Sequence, residues 1–340
     1  MRGRIVSLVD NVVERGRGLA EHGLAYLLEL DAEQYLLDTG QSGTVLLHNA
    51  ELMGVDWNRL TGIILSHGHY DHTGGLRPLL VRLRRRVPVY AHPDIFRPHF
   101  AREKDGRLRP IGLPFNRREL ESLGARFIPV ETFSEIRPGL WLTGPVPRRT
   151  SFEVGDERLV VWTGGGSRSA GLSGTTEGRT PLPESGSTTV SPGPAGLSET
   201  KEGRAPLLES DSTTVSPVPS SLAGTAEGWA PDPLADDLSV VIQTGAGTIL
   251  IQGCAHAGTI NILQHVEAHL GRQHFSAIMG GSHLGAVPVS QLEAAVTALR
   301  GFDSDQLLLS HCTGLKGAFR LREEFGQRYQ PFSVGEVLEF

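Results

Sequence analysis

The chain has 340 residues, a formal net charge of −6 and 39% hydrophobic residues, with 42 glycines and 21 prolines. That length suits one large domain or two small ones, and the mild acidity gives no global attraction for nucleic acid or an anionic membrane. Only two cysteines occur, Cys254 and Cys312, which argues against a disulfide framework and fits a reducing cytoplasm.

Residues 1–10 carry basic side chains but no long apolar stretch, so they read as a first strand centred on residues 5–9 and not as a signal peptide. No segment reaches the roughly 20 apolar residues needed to span a bilayer, and a soluble cytoplasmic protein is expected. Residues 24–30, 35–37 and 63–65 are further strand cores, and Leu36-Leu37-Asp38-Thr39-Gly40 reads as a strand ending in a turn. Residues 76–86 have helical spacing, with Leu76, Leu79, Leu80 and Leu83 on one face. Residues 87–91 read as the next strand, and alternation is less clear from there to about Thr163.

From about residue 164 to 236 the composition shifts to Gly, Ser, Thr, Pro and Glu. Ala170-Gly171-Leu172-Ser173 returns as Ala195-Gly196-Leu197-Ser198, and Ser187-Thr188-Thr189-Val190 returns as Ser212-Thr213-Thr214-Val215, a period of 25. Each unit has too few large apolar residues to build a core. Residues 168–234 are therefore expected to be a tandemly duplicated, disordered insertion within a single domain spanning 1–340. A lid or partner-docking arm is the functional alternative. Regular structure is expected again from Leu238: a hairpin of residues 240–242 and 248–251 around Gly245-Ala246-Gly247, helices near 260–270 and 291–299, and strands at 276–279 and 306–309. Two β-rich halves with helices outside make an α/β fold, a four-layer αβ/βα sandwich. The insertion sits on a connection, where added length costs little.

The segment His67-Gly68-His69-Tyr70-Asp71-His72 follows the apolar run Gly62-Ile63-Ile64-Leu65-Ser66. Three imidazoles and a carboxylate thus stand where a strand gives way to a loop. These are the usual ligands of zinc, manganese or iron. Such a cluster can seed two metal positions, His67 and His69 for one and Asp71 and His72 for the other. A polar surface loop that happens to be rich in histidine is the bland alternative. Three later strands also run into a histidine: His256, His283 and His311. Loops at one edge of a scaffold are where sites are assembled.

His-x-His-x-Asp-His after a strand resembles the metallo-β-lactamase superfamily of metal-dependent hydrolases. Leu65 to Leu76, Glu21-His22-Gly23-Leu24, Gly253-Cys254-Ala255-His256-Ala257-Gly258, Gly280-Gly281-Ser282-His283-Leu284 and Ser310-His311-Cys312-Thr313-Gly314 are similar to its 7,8-dihydropterin-6-yl-methyl-4-(β-D-ribofuranosyl)aminobenzene-5′-phosphate synthase branch. The resemblance implies a metallo-β-lactamase-like fold, with two mixed β-sheets flanked by helices. It implies one or two divalent ions, Zn²⁺ first and Mn²⁺ or Fe as alternatives, held by His67, His69, Asp71, His72, His256 and His311. Asp38 would brace the metal loop by fixing its histidines, against the simpler reading of a turn-capping residue. Glu21 and His22 become substrate-pocket candidates. His283 could be a ligand, a substrate contact or a proton donor.

One departure stands out. Many members of the superfamily place a bridging aspartate at the end of a late strand, after a Gly-His-Thr-type loop. Here the late strand leads into Gly253-Cys254-Ala255-His256. Cys254 and Cys312 could ligate as thiolates, but both read first as small buried residues. His92 reads as a solvated loop residue, and His48, His99, His265, His269 and His274 carry no signal beyond helix or surface chemistry.

Residues 77–126 hold 13 Arg and Lys against 5 Asp and Glu. A solvated helix face explains this, and so does attraction for an anionic small-molecule substrate. No aromatic interleaving points to single-stranded nucleic acid. The leading functional expectation is a hydrolase that uses a metal-activated hydroxide on a small, possibly phosphorylated, substrate, with Asp71 and His283 catalytic. The alternatives are a transferase joining a pterin methyl carbon to an aminobenzene ring with release of diphosphate, and a non-catalytic metal-binding protein. Oligomeric state is left open.

Overall fold

A computed structural model describes residues 1–14, 16, 18–163 and 228–340. The β-branched and leucine-rich runs assemble two large mixed sheets. The first has seven strands in the order Val337–Glu339, Gly3–Val9, Ala25–Leu30, Glu33–Leu37, Leu60–Ile64, Val87–Ala91 and Ala125–Pro129. Its first four strands are antiparallel neighbours, and pairing is parallel from Glu33–Leu37 onward.

The second sheet runs Tyr329–Gln330, Leu307–Ser310, His274–Gly281, Thr248–Gln252, Ser239–Gln243, Leu140–Leu142 and Ser134–Arg137, with Asp303–Ser304 beside His274–Gly281. Here the first four strands are parallel and the rest antiparallel.

Strand periodicity of two divides the apolar residues between layers. Leu28 and Tyr35 of the first sheet meet Ile249, Ile251 and Met279 of the second in a central core. Their neighbours Leu27 and Leu36 face outward onto helices Thr44–Leu52 and Leu76–Leu83. Leu250 and Ile278 likewise face helices Thr259–Leu270, Val289–Leu299 and Gly314–Phe325. The result is helix, sheet, sheet, helix, as the sequence led us to expect. Each buried Leu or Ile contributes about 1.5–3 kcal/mol.

Within each sheet, parallel strands release their chains at one edge. His67 follows Leu60–Ile64; Cys254 and His256 follow Thr248–Gln252; His283 follows His274–Gly281; and His311 follows Leu307–Ser310. Four loops therefore deliver their ligand-type side chains to a common rim.

Two expectations need correction. The helix after the histidine loop ends at Leu83, not Arg86, because Arg84 turns into the left-handed region at φ 50°. The chain also builds a third, four-stranded sheet of Trp229–Pro231, Leu159–Trp162, His99–Arg102 and Leu108–Pro110, which patterning did not reveal. The strand of this sheet that comes last in sequence, Trp229–Pro231, lies inside the expected 168–234 insertion. Trp229 pairs with Trp162 and stacks edge-on against Phe100 at 5.0 Å, while Leu234 is buried with Ile111 and Leu159. The biased composition hid a short strand whose partner stands on the far side of the insertion. Residues 168–227 of that insertion lie outside the described residues.

His99 is the second surprise. It is buried, and its Nδ1 donates to Asp232 Oδ2 at 2.5 Å. Burial lowers its basicity, but Asp232 and Asp236 outweigh this and raise it; burial raises the Asp232 carboxyl, and His99 more than reverses that. A raised histidine stabilises below its unfolded value of 6.5 and loses that as pH rises through the folded value. A depressed aspartate stabilises above its unfolded 3.8 and loses that as pH falls. Asp232→Ala is accordingly expected to cost about 1–3 kcal/mol, most between those two values and less at alkaline pH. Denaturant melts at pH 5.5 and pH 9 would check this, and an equal loss at both would refute the ion-pair account.

Candidate metal centre

The centre is built outward from Asp38, which ends the strand Glu33–Leu37 with φ 57° and is fully buried. Its Oδ1 accepts from the Ser66 backbone N–H at 2.7 Å. Its Oδ2 accepts from Ser66 Oγ and from His72 Nδ1, both at 2.7 Å. Since Ser66 spends its only proton on Asp38, its oxygen accepts from His67 Nδ1 at 2.9 Å. The expected bracing role of Asp38 thus has a geometric basis: one carboxylate sets the tautomers of two histidines. Gly253 makes room for this packing, because a Cβ there would lie 2.1 Å from Ser66 Oγ.

With Nδ1 of His67 and His72 protonated, each Nε2 presents a lone pair inward. His67 Nε2 lies 3.0 Å from His69 Nδ1. His311 is set in the same way from another direction, its Nδ1 donating to Asn11 Oδ1 at 2.9 Å. Asn11 is itself held by the Gly23 N–H. His72 Nε2 and His311 Nε2 then face each other at 3.2 Å. Asp71 Oδ2 stands 3.7 Å from the first and 3.4 Å from the second. Two ring nitrogens a hydrogen-bond length apart beside a carboxylate call for a positive charge between them, either a bound cation or a proton on His311.

Two donor sets follow. His67, His69 and His256 bring one atom each within 4.8 Å of one another, and so do His22, Asp71 and His311. His69 and His256 each keep a buried Nε2 with no hydrogen-bond partner. Burial, followed by the neighbouring imidazoles, drives His67 and His256 well below the usual histidine range, and burial takes His69 down to about 3. These rings are neutral, as ligation requires. Burial would raise the Asp71 carboxyl, but His72, His22 and His311 outweigh it and keep it ionised. Burial lowers His311, yet Asp71 and its neighbours carry it up to about 9, so without a cation a proton takes that place.

Cys254 is buried, as expected of a small residue, but that reading left out its contacts. Its Sγ lies 3.2 Å from His72 Nε2 and shares a 4.8 Å ligand group with His67 and His72. It stands at the strand end where the resemblance called for a bridging aspartate. The loops are clamped by two further carboxylates that sequence reasoning missed. Asp236 Oδ2 accepts from the Gly68 N–H, and Asp237 Oδ2 from the Ala257 N–H, both at 2.7 Å. Their signal was an acidic pair at the edge of the biased segment, easily absorbed into it.

An open cleft of about 470 Å³ lies over the centre, with His69, Asp71, His256 and His311 at its floor. His22 lines it, with Nε2 3.2 Å from Asp71 Oδ2. His283 lines it beside His256, with ring centroids 4.5 Å apart, and joins neither histidine-rich donor set. Glu21 does not line it. Its carboxylate instead accepts from the backbone of Gln41 and Ser42, so the pocket expectation for Glu21 is corrected to that of a loop staple.

The superfamily model for metallo-β-lactamases matches residues 19–193. The chain belongs to the metallo-β-lactamase superfamily. It is 24% identical over 325 residues to a 7,8-dihydropterin-6-methyl-4-(β-D-ribofuranosyl)-aminobenzene-5′-phosphate synthase of Methanocaldococcus jannaschii, covering 94% of this chain and 90% of that relative. A shorter stretch, 70 residues at 39% identity, matches a hydroxyacylglutathione hydrolase of Hahella chejuensis over 19% of this chain and 24% of the relative. The crystal structure of a metal-dependent hydrolase of the β-lactamase superfamily superposes with a TM-score of 0.69 at 23% identity, covering 99% of both chains. This superfamily fold carries the four-loop rim described above.

A direct consequence concerns Gly253. The alanine variant would push Ser66 from its place between Asp38 and His67. We expect a stability loss of about 1–3 kcal/mol and weaker metal retention, read by thermal melting and elemental analysis. Unchanged values for both would show that Ser66 is free to move.

Proposed function

We propose that the protein is a metal-dependent hydrolase of a small anionic, phosphorylated substrate, working with one or two divalent ions, Zn²⁺ foremost, in a reducing cytoplasm. The observation that carries this reading is the pair of imidazole nitrogens of His72 and His311 that face each other beside Asp71 under an open cleft. His67, His69 and His256 would hold one ion, and Asp71, His72 and His311 the other, with His22 and Cys254 within reach. A bound divalent cation supplies Lewis acidity and makes water a nucleophile near neutral pH.

The chain's own groups do the rest. Asp71 Oδ2, ionised and buried, orients the attacking water as a hydrogen-bond acceptor. His283 stands on the cleft wall with both ring nitrogens buried and free of partners. Burial lowers its basicity, but Cys312 and Asp156 outweigh that and raise it, which suits donation of a proton to a leaving group. Arg102, Arg109, Arg158 and Lys316 line the same cleft. Arg109 and Arg158 are neutralised in part by Glu103 and Asp156, while Arg102 has no ion-pair partner among the described residues. This rim would draw in and position a phosphate.

The similarity along most of the chain to the methanogen synthase favours a second reading, transfer of a pterin methyl carbon to an aminobenzene ring with release of diphosphate. The same ligands and basic rim would then hold the leaving diphosphate. A non-catalytic metal-binding protein would have no use for an open cleft above its ligands. The test is a screen of metal-loaded protein against phosphate mono- and diesters and lactones, beside Asp71→Asn. Turnover lost in the variant supports hydrolysis. Inert esters, with diphosphate released only when a pterin diphosphate and an aminobenzene acceptor are both present, would replace hydrolysis by transfer.

A further inference from the structure

The cleft wall holds a second kind of donor group. Cys254, His283 and Cys312 each bring one donor atom within 4.8 Å of the other two. They come from three different strand ends, after Thr248–Gln252, His274–Gly281 and Leu307–Ser310. The local backbone is held in conformations that L residues avoid: His283 at φ 53°, His311 next to Cys312 at φ 50°, and Ala255 next to Cys254 at φ 55°. Each costs about 1–3 kcal/mol, and such strain persists where the surroundings enforce it.

The contacts within the group are sparse. The His283 backbone N–H donates to Cys312 Sγ at 3.1 Å, and the Cys312 thiol reaches Cys254 O at 3.5 Å. Both ring nitrogens of His283 are buried with no hydrogen-bond partner of good geometry among the described residues. Room for the Cys312 sulfur exists only because residue 281 is glycine; a Cβ there would lie 2.6 Å from Sγ. A disulfide framework does not use these thiols, for both cysteines are free.

We propose that Cys254, His283 and Cys312 form a third, sulfur-rich cation position on the cleft wall, sharing Cys254 with the histidine centre. Two sulfurs and one imidazole nitrogen form a soft donor set that suits Zn²⁺ or Cu(I), unlike the nitrogen and oxygen donors below it. Three protein ligands leave a fourth tetrahedral position open towards the cleft, where a substrate anion could bind. Each thiol releases its proton to solvent as it ligates, so loading is favoured by rising pH. The position shares Cys254 with the histidine centre, and when it is filled His283 is a ligand and not the proton donor of the proposed hydrolysis.

The test uses the full chain, loaded with Co²⁺ in place of the native ion, as wild type, Cys312→Ser and His283→Gln. Metal equivalents and the sulfur-to-cobalt charge-transfer band are read together, with thermal melting as the check on folding. The expected result is loss of one equivalent in each variant, with the band weakened in Cys312→Ser. His283→Gln keeps the test open if the serine variant fails to fold. Equal metal content and an unchanged band in wild type and both variants would overturn the third position while leaving the histidine centre intact. A Cys254–Cys312 disulfide in protein isolated without oxidant would also overturn it. Absence of metal from the wild type would remove the histidine centre and the third position together.

Discussion

Replacing Asp38 by alanine is expected to cause the largest loss of stability of any single change at the centre. The carboxylate is fully buried and accepts from three donors, Ser66 N, Ser66 Oγ and His72 Nδ1. Ser66 Oγ can turn to another acceptor and His72 can move its proton to Nε2, which leaves the Ser66 backbone N–H and His72 Nδ1 unmet. Each buried group left unmet costs about 1–3 kcal/mol, which puts the total for two at about 2–6 kcal/mol. The functional loss is separate. Without Asp38, His72 is free to take the other tautomer and turn its proton towards His311 and Asp71. Metal affinity should then fall about 10- to 100-fold, as it does when partners of ligating histidines are removed. Asp38→Asn separates the two effects, since its oxygen can still accept from Ser66 N while its amide cannot serve His72. Denaturant melts and metal titration on both variants would show it. Wild-type stability in the alanine variant would mean that the three donors find other partners.

The second large effect is on turnover. His69→Ala removes a donor from the set of His67, His69 and His256 without touching any of the apolar clusters. The fold should therefore survive, with a melting transition close to that of the wild type. Metal content should drop, and turnover should fall by at least the 10²–10³-fold, roughly, that follows loss of one electrostatic stabiliser. Hydrolysis assays with circular dichroism alongside would decide it. Full activity with a missing ligand would sink the assignment of this set.

The fold and the histidine set were legible because both are written locally. Alternation of Leu, Ile and Val over five or six residues announces a strand, and a histidine just past its end announces a rim position. His67, His69, Asp71 and His72 could be picked out that way; strand ends pointed equally to His256, His283 and His311, and resemblance singled out His256 and His311, which the structure brings together with the first four. What could not be read is whatever depends on two distant segments meeting. Asn11 sets His311 from the other end of the chain. Asp236 and Asp237 clamp two metal loops from the tail of a low-complexity stretch. His99 looked like a helix or surface residue because its partner Asp232 lies near the far end of the expected insertion. Glu21 was placed in the pocket by resemblance alone, and its side chain turns out to serve the turn at Gln41 and Ser42. Cys254 was read by its size, while its position next to His72 is a property of the packed molecule.

Elemental analysis of metal per chain, on protein purified without added metal or chelator, tests the central claim most directly. The facing nitrogens of His72 and His311, with the orphaned nitrogens of His69 and His256, predict at least one equivalent of divalent ion, two when both sets are filled, and fewer in His69→Ala. A metal-free chain that stays folded and gains no ion on titration would contradict the account.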